Sequence, residues 1–260
     1  MSNIHDNAYF FSPQPSKPDS PLLIFLPGLD ETGKELITLQ TKSLECAFDV
    51  RSFIIPPDDL DNWDSLAETV IALTQAELAK IPRMSVYLCG ESFGGSLALK
   101  VILKAHNLFD RIILINPASS FHRVPWLDFG SLLFPFTPDF LYNFSAILSL
   151  PFLAPLHRLS NEARVALENS AKSAPKHTAQ QRIAMMRDFK VDETQLQQIN
   201  QPVLLIGSQE DRILPSVAEV KRLAKIFPQA QVVILPHSGH ACLIETGINL
   251  YEIMQSNVET

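Results

Sequence analysis

The chain has 260 residues, 46% hydrophobic and 19% charged, with a formal net charge of −7. This length and balance suit one sizeable globular core, as α/β proteins of this size often have. The acidic surplus argues against a nucleic-acid partner, which needs a basic face, but leaves a membrane surface open because apolar insertion needs no basic residues.

Residues 1–20 read as a loose arm, since Pro13, Pro15 and Pro18 interrupt regular structure, although Tyr9–Phe11 has the character of a short edge strand. The first 10 residues lack the basic-then-apolar order of an export signal, and the cysteines are odd in number (Cys46, Cys89 and Cys242). Reduced thiols in a cytoplasmic protein are the expectation. No run of 18 or more apolar residues predicts a membrane span.

From Pro21 a regular alternation begins. Leu22–Leu26 reads as a buried strand ending at Pro27-Gly28, followed by a weak helical pattern over residues 34–48. Val50–Ile55 is a second strand. Residues 63–80 predict a helix with Leu66, Val70, Leu73 and Leu78 on one face, capped by Asn62 and stopped by Pro82. Ser85–Cys89 is a third strand, residues 93–105 form a helix apolar nearly all round, and Arg111–Ile115 is a fourth strand. Pro202–Ile206 and Gln231–Leu235 supply two more, separated by a helix opened by Pro215, and a last helix is expected over residues 243–255. Apolar strands alternating with helices predict a mostly parallel sheet with helices on both faces.

The alternation breaks after the fourth strand. Residues 121–156 hold nine aromatics, among them Phe121, Trp126, Phe134, Phe136, Phe140 and Phe144, interrupted by five prolines, and helices are expected near 160–173 and 178–190. We therefore divide the chain into an arm (1–20), a core (21–120 and 201–260) and a helical cap (121–200) lying over a site.

Gly90-Glu91-Ser92-Phe93-Gly94 fits the pattern G-x-S-x-G, placed between an apolar strand and a buried helix. That context suits a serine nucleophile on a tight turn, with glycines that let neighbouring backbone pass closely. A serine hydroxyl needs a base and an acid that orients the base, in the chain order Ser, acid, His. Asp211 follows the strand at 202–206 and His240 follows the strand at 231–235, so both fall on loops at the carboxyl edge of the sheet, where open α/β sheets place their sites. Glu210 and His237 are the competing choices. The expected oxyanion donors are the N–H groups of Phe93 and Leu29, with Asp30 turned away or capping residues 31–34. Six of the nine glycines (Gly28, Gly90, Gly94, Gly95, Gly207 and Gly239) fall in these four loops, as one convergent site requires. No metal site is predicted, because the cysteines are scattered and no histidine pair has ligand spacing, and no cofactor is predicted.

The Ser92, Asp211, His240 order resembles the α/β-hydrolase superfamily. Residues 25–30 with Thr32-Gly33, the runs 86–95 and 116–121, Asp211 through Ser216, and Gly239-His240 through Leu250 are similar to the esterase, lipase and thioesterase branch that includes plant phytyl ester synthases and their cyanobacterial relatives. The match spans most of the core and little of the cap. It implies an α/β-hydrolase fold and fatty acyl transfer to phytol or diacylglycerol, peripheral to photosynthetic membranes. The plant members carry a further acyltransferase-like domain, so the hydrolase part leaves two outcomes open. One is a fatty acyltransferase forming phytyl esters or neutral glycerolipids; the other is a lipid esterase, lipase or thioesterase with water as acceptor. A third reading is a catalytically silent binding protein on this fold. The donor would be a fatty acyl ester or thioester, and the cap aromatics, Phe134, Phe136, Phe140 and Phe144 foremost, are the candidates for acyl-chain or membrane-surface contact.

Overall fold

The structure, a computed structural model, describes residues 8–29, 34–138 and 149–257. Its centre is a seven-stranded sheet of β1 (Tyr9–Phe11), β2 (Leu22–Leu26), β3 (Asp49–Ile54), β4 (Val86–Glu91), β5 (Arg111–Ile115), β6 (Val203–Ser208) and β7 (Ala230–Leu235). The strand order is β1-β3-β2-β4-β5-β6-β7, parallel throughout except for antiparallel β1. All five residues of β2 are buried, as a central strand covered on both faces demands.

Helices α1 (Lys34–Thr41), α2 (Trp63–Lys80), α3 (Phe93–Ala105), α9 (Ser216–Leu223) and α10 (Leu250–Ser256) flank the sheet. One apolar cluster joins α2 and α3 to one face through Leu66, Val70, Leu97, Val101, Leu88 and Leu114. A second, with Leu23, Phe25, Ile37, Ile113 and Met254, covers the other. Asn62 caps α2 as its position predicts, its side chain accepting from the N–H groups of Asp64 and Ser65.

Between β5 and β6 the chain forms a helical insertion: α4 (Pro125–Leu133), α5 (149–153), α6 (Asn161–Ala171), α7 (Lys176–Arg187) and α8 (Glu193–Leu196). Its described residues share their apolar contacts with the rest of the fold. Met185, Met186, Phe189 and Leu196 join the α2–α3 cluster. Leu150, Ala154, Leu159, Ala163 and Leu167 pack with Leu36 of α1 and with Ala241 and Ile244, which follow β7.

Two expectations are corrected. The edge strand expected at Tyr9–Phe11 forms and pairs with β3, but the arm after it is not loose: the Arg83 guanidinium donates to the carbonyls of Lys17, Pro18 and Ser20 while pairing with buried Asp49. The helix expected over 243–255 is broken. Cys242–Ile244 makes a single 3₁₀ turn and α10 begins at Leu250. The Glu245 carboxylate turns inward, accepting from the Gly239 N–H at 2.7 Å and pairing with Arg158 at 2.9 Å, and Gly247 follows at φ 87°. The inward carboxylate and the left-handed glycine together take the backbone out of the helix.

Candidate active site

Ser92 stands between the last residue of β4 and the first of α3, at φ 54° and ψ −114°, a conformation L-residues rarely adopt. The turn is closed by hydrogen bonds from the Ser92 N–H to the Ile115 carbonyl (2.9 Å) and from the Ala118 N–H to the Ser92 carbonyl (3.0 Å). Glycine is required beside it on steric grounds: a Cβ on Gly94 would lie 1.9 Å from the Leu26 carbonyl oxygen, and one on Gly90 would lie 2.3 Å from that of Gly94. The strain thus rests on close backbone packing that the G-x-S-x-G pattern makes available.

His240 Nε2 lies 2.7 Å from Ser92 Oγ, and His240 Nδ1 lies 2.7 Å from Asp211 Oδ2. His240 is 6% exposed, so these bonds are shielded from competing water. Asp211 is held in turn. Its Oδ1 accepts from the N–H groups of Ile213 (2.8 Å) and Leu214 (2.9 Å), and its Oδ2 accepts a short bond from Ser216 Oγ. Burial alone would raise the carboxyl's pKa, but the facing His240 charge, its hydrogen bond, the Leu214 N–H and the Ser216 hydroxyl together hold it below the ordinary aspartate value.

Asn116 ties the three loops to one another. It sits buried at φ 44° at the end of β5 and donates to the His240 carbonyl (2.7 Å) and to Ser208 Oγ (2.9 Å), while its Oδ1 accepts from the Ser208 N–H (2.8 Å). The competing pair lies apart from this centre. Glu210 and His237 are both exposed and face each other, Nδ1 to Oε1, at 3.7 Å.

Both expected oxyanion donors border this point. Phe93 is the first residue of α3, so its N–H has no acceptor within the helix. Its ring is pinned by Trp63, stacked at 4.5 Å between centroids. Leu29 lines the cavity in front of Ser92, and its carbonyl accepts from Arg182 at 2.6 Å. Asp30 lies outside the described residues.

That cavity has a volume of about 350 Å³ and reaches from Ser92 and His240 into the insertion. Phe121 and Phe134 line it. Trp126 and Phe136 do not; they are 61% and 81% exposed, and Phe140 and Phe144 lie outside the described residues. Most of the wall is aliphatic and was not foreseen, with Leu153 of α5, Leu167 and Ala171 of α6, and Ala179, Ile183 and Met186 of α7. The helical spacing of 179, 183 and 186 was the available signal. Trp126, Phe129, Leu133 and Phe136 instead form an exposed stripe along α4 and the turn after it, each more than half exposed.

A family model described as serine aminopeptidase, S33, matches residues 58–247, a span holding Ser92, Asp211 and His240. The chain belongs to this α/β-hydrolase family. Among curated relatives, it is 30% identical to phytyl ester synthase 1, chloroplastic, of Arabidopsis thaliana over 91% of its own length and 37% of the relative's. It is 27% identical to the pimeloyl-[acyl-carrier protein] methyl ester esterase of Nitrosomonas europaea, over 68% of this chain and 73% of that one. The chain therefore spans little more than a third of the plant relative. Solved α/β-hydrolases share the fold: an esterase from Exiguobacterium antarcticum superposes with a TM-score of 0.74 at 15% identity over 97% of this chain and 95% of that one. MenH from S. aureus gives 0.73 at 16% over 96% and 97%. The chain's relatives thus include one named as an ester synthase and one named as an esterase.

Proposed function

We propose that this α/β-hydrolase transfers a fatty acyl group through an acyl-enzyme on Ser92 to a long-chain alcohol such as phytol, or to diacylglycerol. The observation that carries the reading is the Ser92–His240–Asp211 hydrogen-bonded chain opening onto an apolar cavity. His240, with its proton on Nδ1 facing Asp211, takes the Ser92 hydroxyl proton on Nε2 as Oγ attacks the carbonyl of an ester or thioester. The oxygen that becomes negative lies between the N–H groups of Phe93 and Leu29. The intermediate collapses, the carbonyl–leaving group bond breaks, and the leaving alcohol or thiol takes the proton from His240. In the second half an acceptor hydroxyl gives its proton to His240 as its oxygen bonds to the acyl carbon; the Ser92 Oγ–acyl bond then breaks and Oγ takes the proton back from His240. The insertion is then a cap that holds the acyl chain and limits entry of water, which competes with the alcohol for the acyl group.

The relatives support acyl chemistry of this kind, and they include both an ester synthase and an esterase. Incubation of purified protein with acyl-thioester or galactolipid donors, with and without phytol or diacylglycerol, separates transfer from hydrolysis. The acyltransferase reading expects the acyl ester of the added alcohol; free acid as sole product would leave a lipid esterase in its place.

If Ala171 lies against a bound chain, Ala171→Phe shortens the acyl groups accepted. We expect kcat/KM on a dodecanoyl ester to fall at least about tenfold relative to the butanoyl ester, in the range typical of one pocket side chain. A parallel fall on both would place the chain elsewhere.

The exposed α4 stripe is proposed to rest on a lipid surface, since Phe134, in the turn where the stripe ends, also lines the cavity. The stripe is apolar, so attachment should be insensitive to salt. Replacing Trp126 and Phe136 by serine should lower binding to galactolipid vesicles by about tenfold or more, from the area lost. Of the two tryptophans only Trp126 is exposed, so its fluorescence should shift to the blue with vesicles. Unchanged flotation of the double variant would remove the stripe from the account.

A further inference from the structure

Arg182 lies on α7 with only 3% of its surface exposed. A guanidinium stays protonated at any working pH, and burying one is costly unless its donors are matched. Here Nη1 donates to the Leu29 carbonyl at 2.6 Å and Nη2 to the Pro56 carbonyl at 3.1 Å, so the side chain spans the loops that leave β2 and β3. A charged donor on a neutral carbonyl makes one of the stronger hydrogen bonds in a protein.

The loop it grips is the one expected to supply the second oxyanion donor. On one side Leu26 and Pro27 are wedged against Gly94 of α3, whose missing Cβ allows the contact. On the other side Arg182 holds Leu29 by the carbonyl that follows its N–H, so the segment carrying the expected donor is held from both ends. The same helix turns Ala179, Ile183 and Met186 toward the cavity, so one rigid element touches both the acyl wall and the donor loop. Attachment of α7 to the core does not depend on Arg182 alone: Trp63 Nε1 donates to the Met185 carbonyl at 2.9 Å, and Met185 and Met186 are buried in the main core.

We infer that Arg182 is a positioning residue of the oxyanion hole, fixing Leu29 from α7 through the carbonyl that follows its N–H and thereby coupling the walls of the acyl cavity to stabilisation of the transition state. The inference rests on the acyl-enzyme reading of Ser92. Arg182 touches neither Ser92 nor the acyl group and works through Leu29.

The test uses the full chain, with Arg182→Met, which keeps the length and removes charge and donors, and Arg182→Lys, which keeps the charge. Turnover of p-nitrophenyl decanoate is compared with inhibition by a decyl trifluoromethyl ketone, whose hemiketal oxygen occupies the oxyanion position, and by decanoate, a ground-state ligand. Arg182→Met is expected to lose about 10–100-fold in kcat, the scale of a displaced or lost oxyanion donor. KM should stay within about twofold, because the interaction matters in the transition state. Ketone affinity should fall by the same factor as kcat/KM while decanoate affinity holds, and Arg182→Lys should recover part of both. Equal weakening of ketone and decanoate would show a loosened cavity wall and overturn the inference, as would a folded variant with unchanged kcat. If the Met variant does not fold, the Lys variant decides, since it should show the same parallel between ketone affinity and kcat/KM at smaller amplitude. Wild-type protein that neither turns over the ester nor reacts with a fluorophosphonate would overturn the reading of Ser92 itself; a reactive wild type with unaffected variants would overturn only the role of Arg182.

Discussion

Ser92→Ala should reduce ester turnover by at least about 10³-fold, and by up to about 10⁶-fold where the acyl-enzyme route carries all the flux. The size follows from what Ser92 does in the proposed route. It is the atom that bonds to the acyl group, so its removal abolishes the two-step path and leaves only what bound water can achieve beside the oxyanion donors. The variant should fold, because the turn is enforced by the neighbours of Ser92 rather than by its hydroxyl: Gly94 still packs on Leu26, and the backbone bonds to Ile115 and Ala118 persist. Steady-state assays on the decanoyl ester, with a melting curve on the same preparation, check both statements. Equal rates for wild type and variant would end the catalytic account.

The second large effect is at Asp211. Asp211→Asn should lower kcat by about 10⁴-fold, because the amide can present its N–H₂ toward His240 Nδ1 and favours the imidazole tautomer with the proton on Nε2. A proton there faces Ser92 Oγ, and the ring can no longer accept the serine's proton. Ser216 and the N–H groups of Ile213 and Leu214 anchor the side chain, so the substitution changes the tautomer with little movement. The wild-type carboxyl titrates below its ordinary value, so it remains charged throughout the neutral range. Loss of wild-type activity on acidification should therefore draw no proton from Asp211 until the pH falls below about 4, the ordinary aspartate value. Its ionised form also contributes to folding stability above that value, and the contribution is lost as pH falls through the depressed folded-state pKa. A pH profile of kcat/KM with two protons on the acid limb above pH 5 would contradict this assignment.

Much of the core was legible because its signals are local. The run Leu22–Leu26 and the apolar-all-round pattern of residues 93–105 report burial on every side, and both elements appear at those residues. Ser92 was legible because the close approaches at Gly90 and Gly94 admit only glycine, and that demand shows in the sequence. Asp211 and His240 were legible from strand order and from their places on the loops after two strands, with Glu210 and His237 as near competitors, and the hydrogen bonds join Asp211 and His240 to Ser92. What tertiary contact determines was not legible. Asn116 acts through bonds to Ser208 and His240, 92 and 124 positions away. The aromatic residues of the insertion drew attention from its aliphatic ones, yet Trp126 and Phe136 are on the outside, and Leu167, Ile183 and Met186 form the wall. Composition marks a segment as apolar without saying which side of a helix meets the cavity.

The most direct measurement is acid quenching of the protein during turnover of a decanoyl ester, followed by intact mass and peptide mapping. The account predicts one added decanoyl group, carried by the peptide containing Ser92, formed within the first turnover and lost faster when phytol or diacylglycerol is present. Steady turnover with no adduct under fast quench, or an adduct on any other residue, would contradict it.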